Sequence, residues 1–213
     1  MIAYFNDVAV LTRKDLLLEL RSRDTVPAML LFVVSALVVF HFALPDSAGD
    51  DAARGLLWIA ILFTALLGLA RVFAAEREEG LLEGLLLAPC DRSAIWLAKT
   101  TSVVVFLVCM EAIALPAFAL FYAPVDGAMV AAVILADLGI AAVGSLLSAM
   151  ALASRTRELI LPLLYLPLAI PIVVGGVGAS VADDPSRFVA FLGLYDAIFA
   201  IISWASFEYV VTE

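Results

Sequence analysis

Six stretches of this chain run apolar without interruption for about the length that crosses a bilayer, roughly 20 residues each. They are Pro27–Leu44, Leu56–Ala75, Thr100–Tyr122, Ala128–Leu152, Leu159–Ala182 and Phe188–Val211. In hydrocarbon a backbone must satisfy its own polar groups, so only helices and closed barrels span. Barrel strands alternate apolar and polar residues, whereas these runs are continuous, so they are expected to be helices. Composition agrees: 65% of residues are apolar and 15% charged, against about 45–50% and 25% in soluble domains. That excludes a soluble enzyme, a disordered chain, a collagen and a disulfide scaffold. The expected fold is all-α: an integral membrane bundle of six transmembrane helices forming one domain over residues 1–213, with no appended soluble domain.

Ahead of the first run, Met1 to Asp24 has no early apolar core and no small-residue cleavage site, so it does not read as a signal peptide. Phe5, Ala9, Thr12, Leu16 and Leu20 fall on one helical stripe, with Asp7 and Lys14 opposite. This predicts an amphipathic helix lying in the membrane interface. Lys and Arg placement sets the orientation. Ten of the twelve lie on one side: Arg13, Lys14, Arg21, Arg23, Arg71, Arg77, Arg92, Lys99, Arg155 and Arg157. Arg54 and Arg187 hold the other. The chain is therefore expected to be multi-pass in a prokaryotic cytoplasmic (inner) membrane, with both termini cytoplasmic. Arg71, near the end of its run, is expected to snorkel. The net charge of −9 argues against nucleic acid as a partner.

Catalytic signatures are missing. The sequence has no G-x-x-x-x-G-K-[ST] phosphate loop, no H-E-x-x-H and no nucleophile elbow. The expectation is a non-catalytic membrane subunit with no catalytic residues, no metal and no cofactor of its own. His41, the single histidine, sits beside Phe40 and Phe42 and reads as part of an interfacial aromatic belt, with an axial haem or metal ligand as the alternative. Cys90 and Cys109 read as free thiols.

Carboxylates inside spans are costly and mark candidate functional positions. Glu111 and Asp137 are expected at similar depth, able to share a proton, face a polar cavity or hold helices together. Asp196 is expected near the outer interface. Asp137, Ala141, Ser145 and Ser148 form a small, polar stripe directed at neighbouring helices. In the fifth span Pro162, Pro167 and Pro171, followed by Gly175, are expected to break the helix, freeing the carbonyls of Leu163 and Pro167. Such a helix can line a pathway or mark a packing kink.

The longest polar connection is EREEGLLEGLLLAPCDRSAIWLAK. Glu76, Glu78, Glu79 and Glu83 alternate with Leu82, Leu85, Leu86 and other leucines, Pro89 ends the run, and Asp91–Arg92–Ser93 restarts a helix. An acidic amphipathic helix of this kind suits docking to a soluble partner; attachment to the membrane surface would favour Lys and Arg.

This loop resembles the coupling helix that permease subunits of ABC exporters insert into a separate ATPase. Other segments resemble the haem exporter protein B family, the permease of cytochrome c maturation. They are Lys14–Asp24 with Val26–Pro27, Gly55–Ala60, the Ala98–Lys99 pair, and the proline-rich stretch from Leu161–Pro162 through Leu166–Pro167 to Ile170–Pro171. The resemblance covers essentially the whole chain and departs from the family at the more acidic Trp204–Glu213. It implies a cytoplasmic ATPase subunit that binds ATP, a second copy of the permease, a haem-handling membrane protein and a periplasmic haem chaperone. Haem would be transported or handled rather than held as a cofactor. The alternatives are a general ABC export permease for a lipid, drug or polysaccharide, and a proton-coupled carrier using Glu111 and Asp137.

Overall fold

The computed structural model describes residues 2–45, 47, 49–73, 90–153 and 157–212. Among them all regular structure is helical, in seven helices: α1 (Ile2–Ser22), α2 (Thr25–Ala43), α3 (Asp50–Leu69), α4 (Arg92–Phe121), α5 (Gly127–Ala153), α6 (Arg157–Val181) and α7 (Ser186–Thr212). The last six are long and apolar enough to cross a membrane, as the apolar runs require. The expected coupling helix, from Glu76 to Pro89, lies outside the described residues.

Two spans differ from the apolar runs for local reasons. α3 starts at Asp50 and ends at Leu69, ahead of the expected Leu56–Ala75. Asp50 and Asp51 occupy its first turn, where carboxylates complement the positive end of the helix. Arg71 consequently lies outside the span, exposed in the turn after α3 and 3.9 Å from Asp24. α4 starts at Arg92 rather than Thr100, because the Asp91 carboxylate accepts from the Ser93 amide at 2.8 Å and the Ser93 hydroxyl at 2.7 Å. That is an N-cap, and it carries the helix through Ser93 and Lys99 before the apolar run begins.

The sequence α1–α2 turns a corner at Arg23, whose φ of 56° lies in the left-handed region. Glu19 of α1 reaches across the corner: its Oε1 accepts from the amides of Thr25 and Val26, both at 2.8 Å. A side chain of one helix thus satisfies the unpaired first amides of the next. α1 packs along α4. Its expected apolar stripe is therefore split. Thr12 turns inward and donates to the Ala98 carbonyl at 3.4 Å. Phe5 and Leu20 stay exposed together with Val10 and Leu17.

α5 is the central helix, packed against α3, α4, α6 and α7 and buried along most of its length. Glycines let neighbours approach. A β-carbon on Gly144 would overlap Leu69 of α3, one on Gly176 would overlap the Trp58 indole of α3, and those on Gly175 and Gly178 would meet Leu192 and Phe188 of α7. Trp58 is buried and cannot yield, since its indole N–H donates to Ser180 Oγ at 3.0 Å. Gly176→Ala is therefore expected to destabilise the purified protein by about 1–3 kcal/mol, the cost of overpacking a filled site. Gly193, where an added β-carbon meets nothing within 4 Å, should accept Ala with unchanged or raised stability. Thermal unfolding in detergent checks both, and equal midpoints for the two variants would contradict the packing.

α6 corrects the expected break. It runs as one continuous helix with Pro162, Pro167 and Pro171 inside it. Pro167 sits on the exposed stripe formed by Leu159, Leu163, Ile170 and Val174, whereas Gly175 is buried. Proline is tolerated in a spanning helix where neighbours satisfy the backbone. In the same stretch the Tyr195 hydroxyl of α7 donates to the Leu168 carbonyl at 2.7 Å and fastens α6 to α7.

Candidate functional site

Glu111 of α4 lies ten residues before the end of its helix at Phe121, and Asp137 of α5 lies ten residues after the start of its helix at Gly127. At 1.5 Å per residue both stand about 15 Å in from the same end of the bundle. They neighbour each other across the α4–α5 contact. Glu111 is 5% exposed and Asp137 1%. Glu111 Oε1 and both Asp137 carboxyl oxygens accept from no donor on any other residue, so the two carboxyls have each other as partner and bond when one of them carries a proton.

Asp196 corrects the expected interfacial position. It lies ten residues into α7 from Ser186, at the depth of the other two acids. It approaches α5 at Gly139, where a β-carbon would overlap its Oδ1, and both its oxygens are also without partners. Because 137 and 139 are about 200° apart on a helix, Asp196 meets a different face of α5 from the one Glu111 meets. Three acids therefore share one depth, but only Glu111 and Asp137 form a pair.

The rest of the α5 polar stripe is bonded. Thr100 Oγ1 of α4 donates to Ser145 Oγ at 3.3 Å, and Ser148 Oγ donates to the Leu69 carbonyl of α3 at 2.9 Å. These hydroxyls join helices. The two carboxyls above them meet only each other, and inserting a charged Asp at the centre of a span costs about 2.5–3.5 kcal/mol on insertion scales.

Toward the end that carries α1, a buried cation appears. The Lys99 side chain is 4% exposed and pairs with Asp15 of α1 at 3.1 Å. The sequence marks Lys99 as a flanking charge and as part of the Ala98–Lys99 pair, and its pairing with Asp15 of α1 is a contact across 84 residues that no local pattern shows. At the opposite end Arg54 Nη1 donates to the Ser180 carbonyl. His41 is an aromatic-belt residue as expected, with ring centroids 5.5 Å from Phe42, 5.4 Å from Phe121 and 5.7 Å from Tyr122. Among the described residues no three His, Cys, Asp or Glu side chains gather at metal-binding distance.

Outside the spans two groups are electrostatically tuned. The Ser186 hydroxyl and amide hold the Asp184 carboxyl below its ordinary value at the start of α7. Burial, then the charges of Asp7 and Asp91, push the Cys90 thiol up. Since the thiolate is the nucleophile, Cys90 is expected to alkylate slowly at about pH 7 and to accelerate as pH rises past the ordinary thiol value near 8.5. Iodoacetamide rates in a Cys109→Ser background measure this, with Asp7→Asn expected to speed the reaction. A rate at neutral pH matching a free, solvated cysteine would refute it.

Comparison with known proteins places this arrangement in a family. The family model described as "CcmB protein" matches residues 6–206. Heme exporter protein B of Paracoccus denitrificans is 28% identical over 182 residues, covering 82% of this chain and 84% of the relative. Heme exporter protein B of Rhodobacter capsulatus is 27% identical over 206 residues, covering 92% and 94%. That of Bradyrhizobium diazoefficiens is 27% identical over 191 residues, covering 82% and 81%. With the match running from the first turns of α1 into the last helix, the chain belongs to the CcmB protein family.

Proposed function

We propose that this chain is the membrane permease subunit of an ATP-driven complex for c-type cytochrome biogenesis, which exports haem or delivers it to the outer side of a prokaryotic cytoplasmic membrane. The carrying observation is the family match over residues 6–206, reached independently by four relatives named Heme exporter protein B. Six apolar helices of spanning length support a permease. The sequence lacks a phosphate-binding loop, so hydrolysis belongs to a separate ATPase chain. That chain docks on the Glu and Leu pattern of Glu76–Pro89, placed on the cytoplasmic side together with both termini by the Lys and Arg bias. A second copy of the permease, a haem-handling membrane protein and a periplasmic haem chaperone complete the assembly.

The test is deletion of the gene, complementation with a tagged copy, haem staining of c-type cytochromes, and identification of proteins recovered with the tag from native membranes. The reading expects cytochromes to vanish on deletion and return on complementation, and an ATPase and a haem-handling membrane protein to be recovered. Normal c-type cytochromes in the deletion strain would overturn it.

A further inference from the structure

The buried Lys99 is bonded to two other parts of the chain at once. Its Nζ donates to Asp15 Oδ1 of α1 at 3.1 Å and to the Val72 carbonyl at 2.9 Å, and lies 4.8 Å from the Phe73 ring centroid. Asp15 is itself 10% exposed and receives Lys14 as well, at 3.1 Å. Val72 and Phe73 form the turn that leaves α3. An ammonium there meets carbonyls at a helix C-terminal end, where a cation is favoured, and an aromatic face that attracts it further.

These contacts sit in a separate apolar cluster at the α1 end of the bundle. It contains Phe73, Ile95, Trp96, Ala142, Ala149 and Phe207, with Leu11 of α1 packed against it. α1 is also fastened to α4 ahead of Lys99: Tyr4 Oη and Ser93 Oγ are 3.1 Å apart, and Thr12 Oγ1 donates to the Ala98 carbonyl. α1 in turn caps α2 through Glu19. A buried ion pair contributes little stability over well-packed apolar side chains. Methionine would fill the space occupied by Lys99. What methionine cannot do is fix the turn after α3 and the inner face of α1 to a single point.

We propose that Lys99 is a positioning residue for coupling: it binds the start of the 74–89 connection, at Val72 and Phe73, to Asp15 of α1, so that force applied to the connection by the ATPase reaches α1 and α4 together. This rests on the reading of 74–89 as the docking segment. Through the Glu19 cap, the same displacement reaches the first spanning helix.

The experiment uses the full chain in native membranes and measures the ATPase recovered with it and the mature c-type cytochrome formed per permease. Lys99→Met is expected to recover the ATPase within about twofold of wild type and to lower cytochrome at least about tenfold, while Lys99→Arg keeps more than about half. Asp15→Asn should lower cytochrome in the same direction, and the Asp15→Asn, Lys99→Met double variant should be no worse than Lys99→Met alone, since the two act as a unit. Additive losses would indicate general damage and overturn the proposal. So would loss of the ATPase along with cytochrome in Lys99→Met, which would make the residue part of docking rather than of coupling. If Lys99→Met does not accumulate, Asp15→Asn decides: full cytochrome at normal chain and ATPase levels overturns the proposal. Absence of the ATPase from the wild-type preparation overturns the functional reading itself, a different result from a Lys99→Met chain that retains the ATPase and works normally.

Discussion

A chain carrying Glu111→Gln together with Asp137→Asn is expected to assemble fully and to lose at least about nine-tenths of mature c-type cytochrome. The bundle shows what a polar group looks like when its role is to join helices. Thr100 meets Ser145, Ser148 meets the Leu69 carbonyl, and the Tyr195 hydroxyl meets the Leu168 carbonyl. Glu111 and Asp137, buried at equal depth in adjacent helices, meet each other rather than a hydroxyl or a backbone carbonyl, a contact that needs one of them to carry a proton. The amides keep side-chain size and hydrogen-bonding capacity and remove any charge. If the carboxyls merely packed helices, the amides would do as well or better. The thermal midpoint should therefore hold or rise, because a charge at mid-span costs about 2.5–3.5 kcal/mol to place there, while the transport step that uses the acidic pair fails. Cytochrome content against permease content, with thermal unfolding of the same preparations, reads both effects. Full cytochrome formation by the double variant would show that no charge is needed at the pair. Collapse of assembly would show instead that the carboxyls hold α4 to α5.

Much of this fold was legible because membrane helices announce themselves by length and apolarity alone. Six runs became six helices, and the Asp91–Arg92–Ser93 restart became a capped helix start. What failed was set by partners rather than by period. The end of α3 at Leu69 depends on a turn pinned by Lys99 to the Val72 carbonyl, a contact 27 residues away in sequence. The depth of Asp196 follows from α7 beginning at Ser186, which an apolar run starting at Phe188 approximates, but its burial follows from the gap opposite Gly139. Prolines in α6 suggested a break because each removes a donor; the helix runs on through them, fastened to α7 at Leu168 by the Tyr195 hydroxyl, a contact that no pattern within α6 could reveal. Of the candidate site, the equal depth of Glu111 and Asp137 was readable from residue counts, and the absence of a donor on any other residue for Glu111 Oε1 and both Asp137 oxygens was not.

Changing Leu82 and Leu86 together to Asp is expected to abolish recovery of the ATPase while leaving the six spans inserted. Both residues lie outside the described structure, but the ends of their segment do not. Phe73 is buried in the apolar cluster at the α1 end, and the chain resumes at Cys90 just before the Asp91 cap of α4. With both ends anchored in the bundle, changes between them should act on the partner and not on the spans. Each leucine fully buried in a groove contributes about 1.5–3 kcal/mol, so losing two removes about 3–6 kcal/mol. That is roughly two to four decades of affinity, before the added cost of burying a carboxylate. The glutamates of the segment are expected to steer the partner more than hold it. Glu83→Lys should accordingly weaken recruitment at low salt and matter less at high salt, where screening shortens the reach of surface charge to a few ångströms. Co-purification from membranes at two salt concentrations measures all three. Undiminished ATPase with both leucines replaced would move the docking surface elsewhere, first to the basic face of α1 that carries Arg13 and Arg21. Loss of the ATPase here, set beside its retention in Lys99→Met, would separate gripping the partner from transmitting its motion: the leucines would do the first and the buried lysine the second.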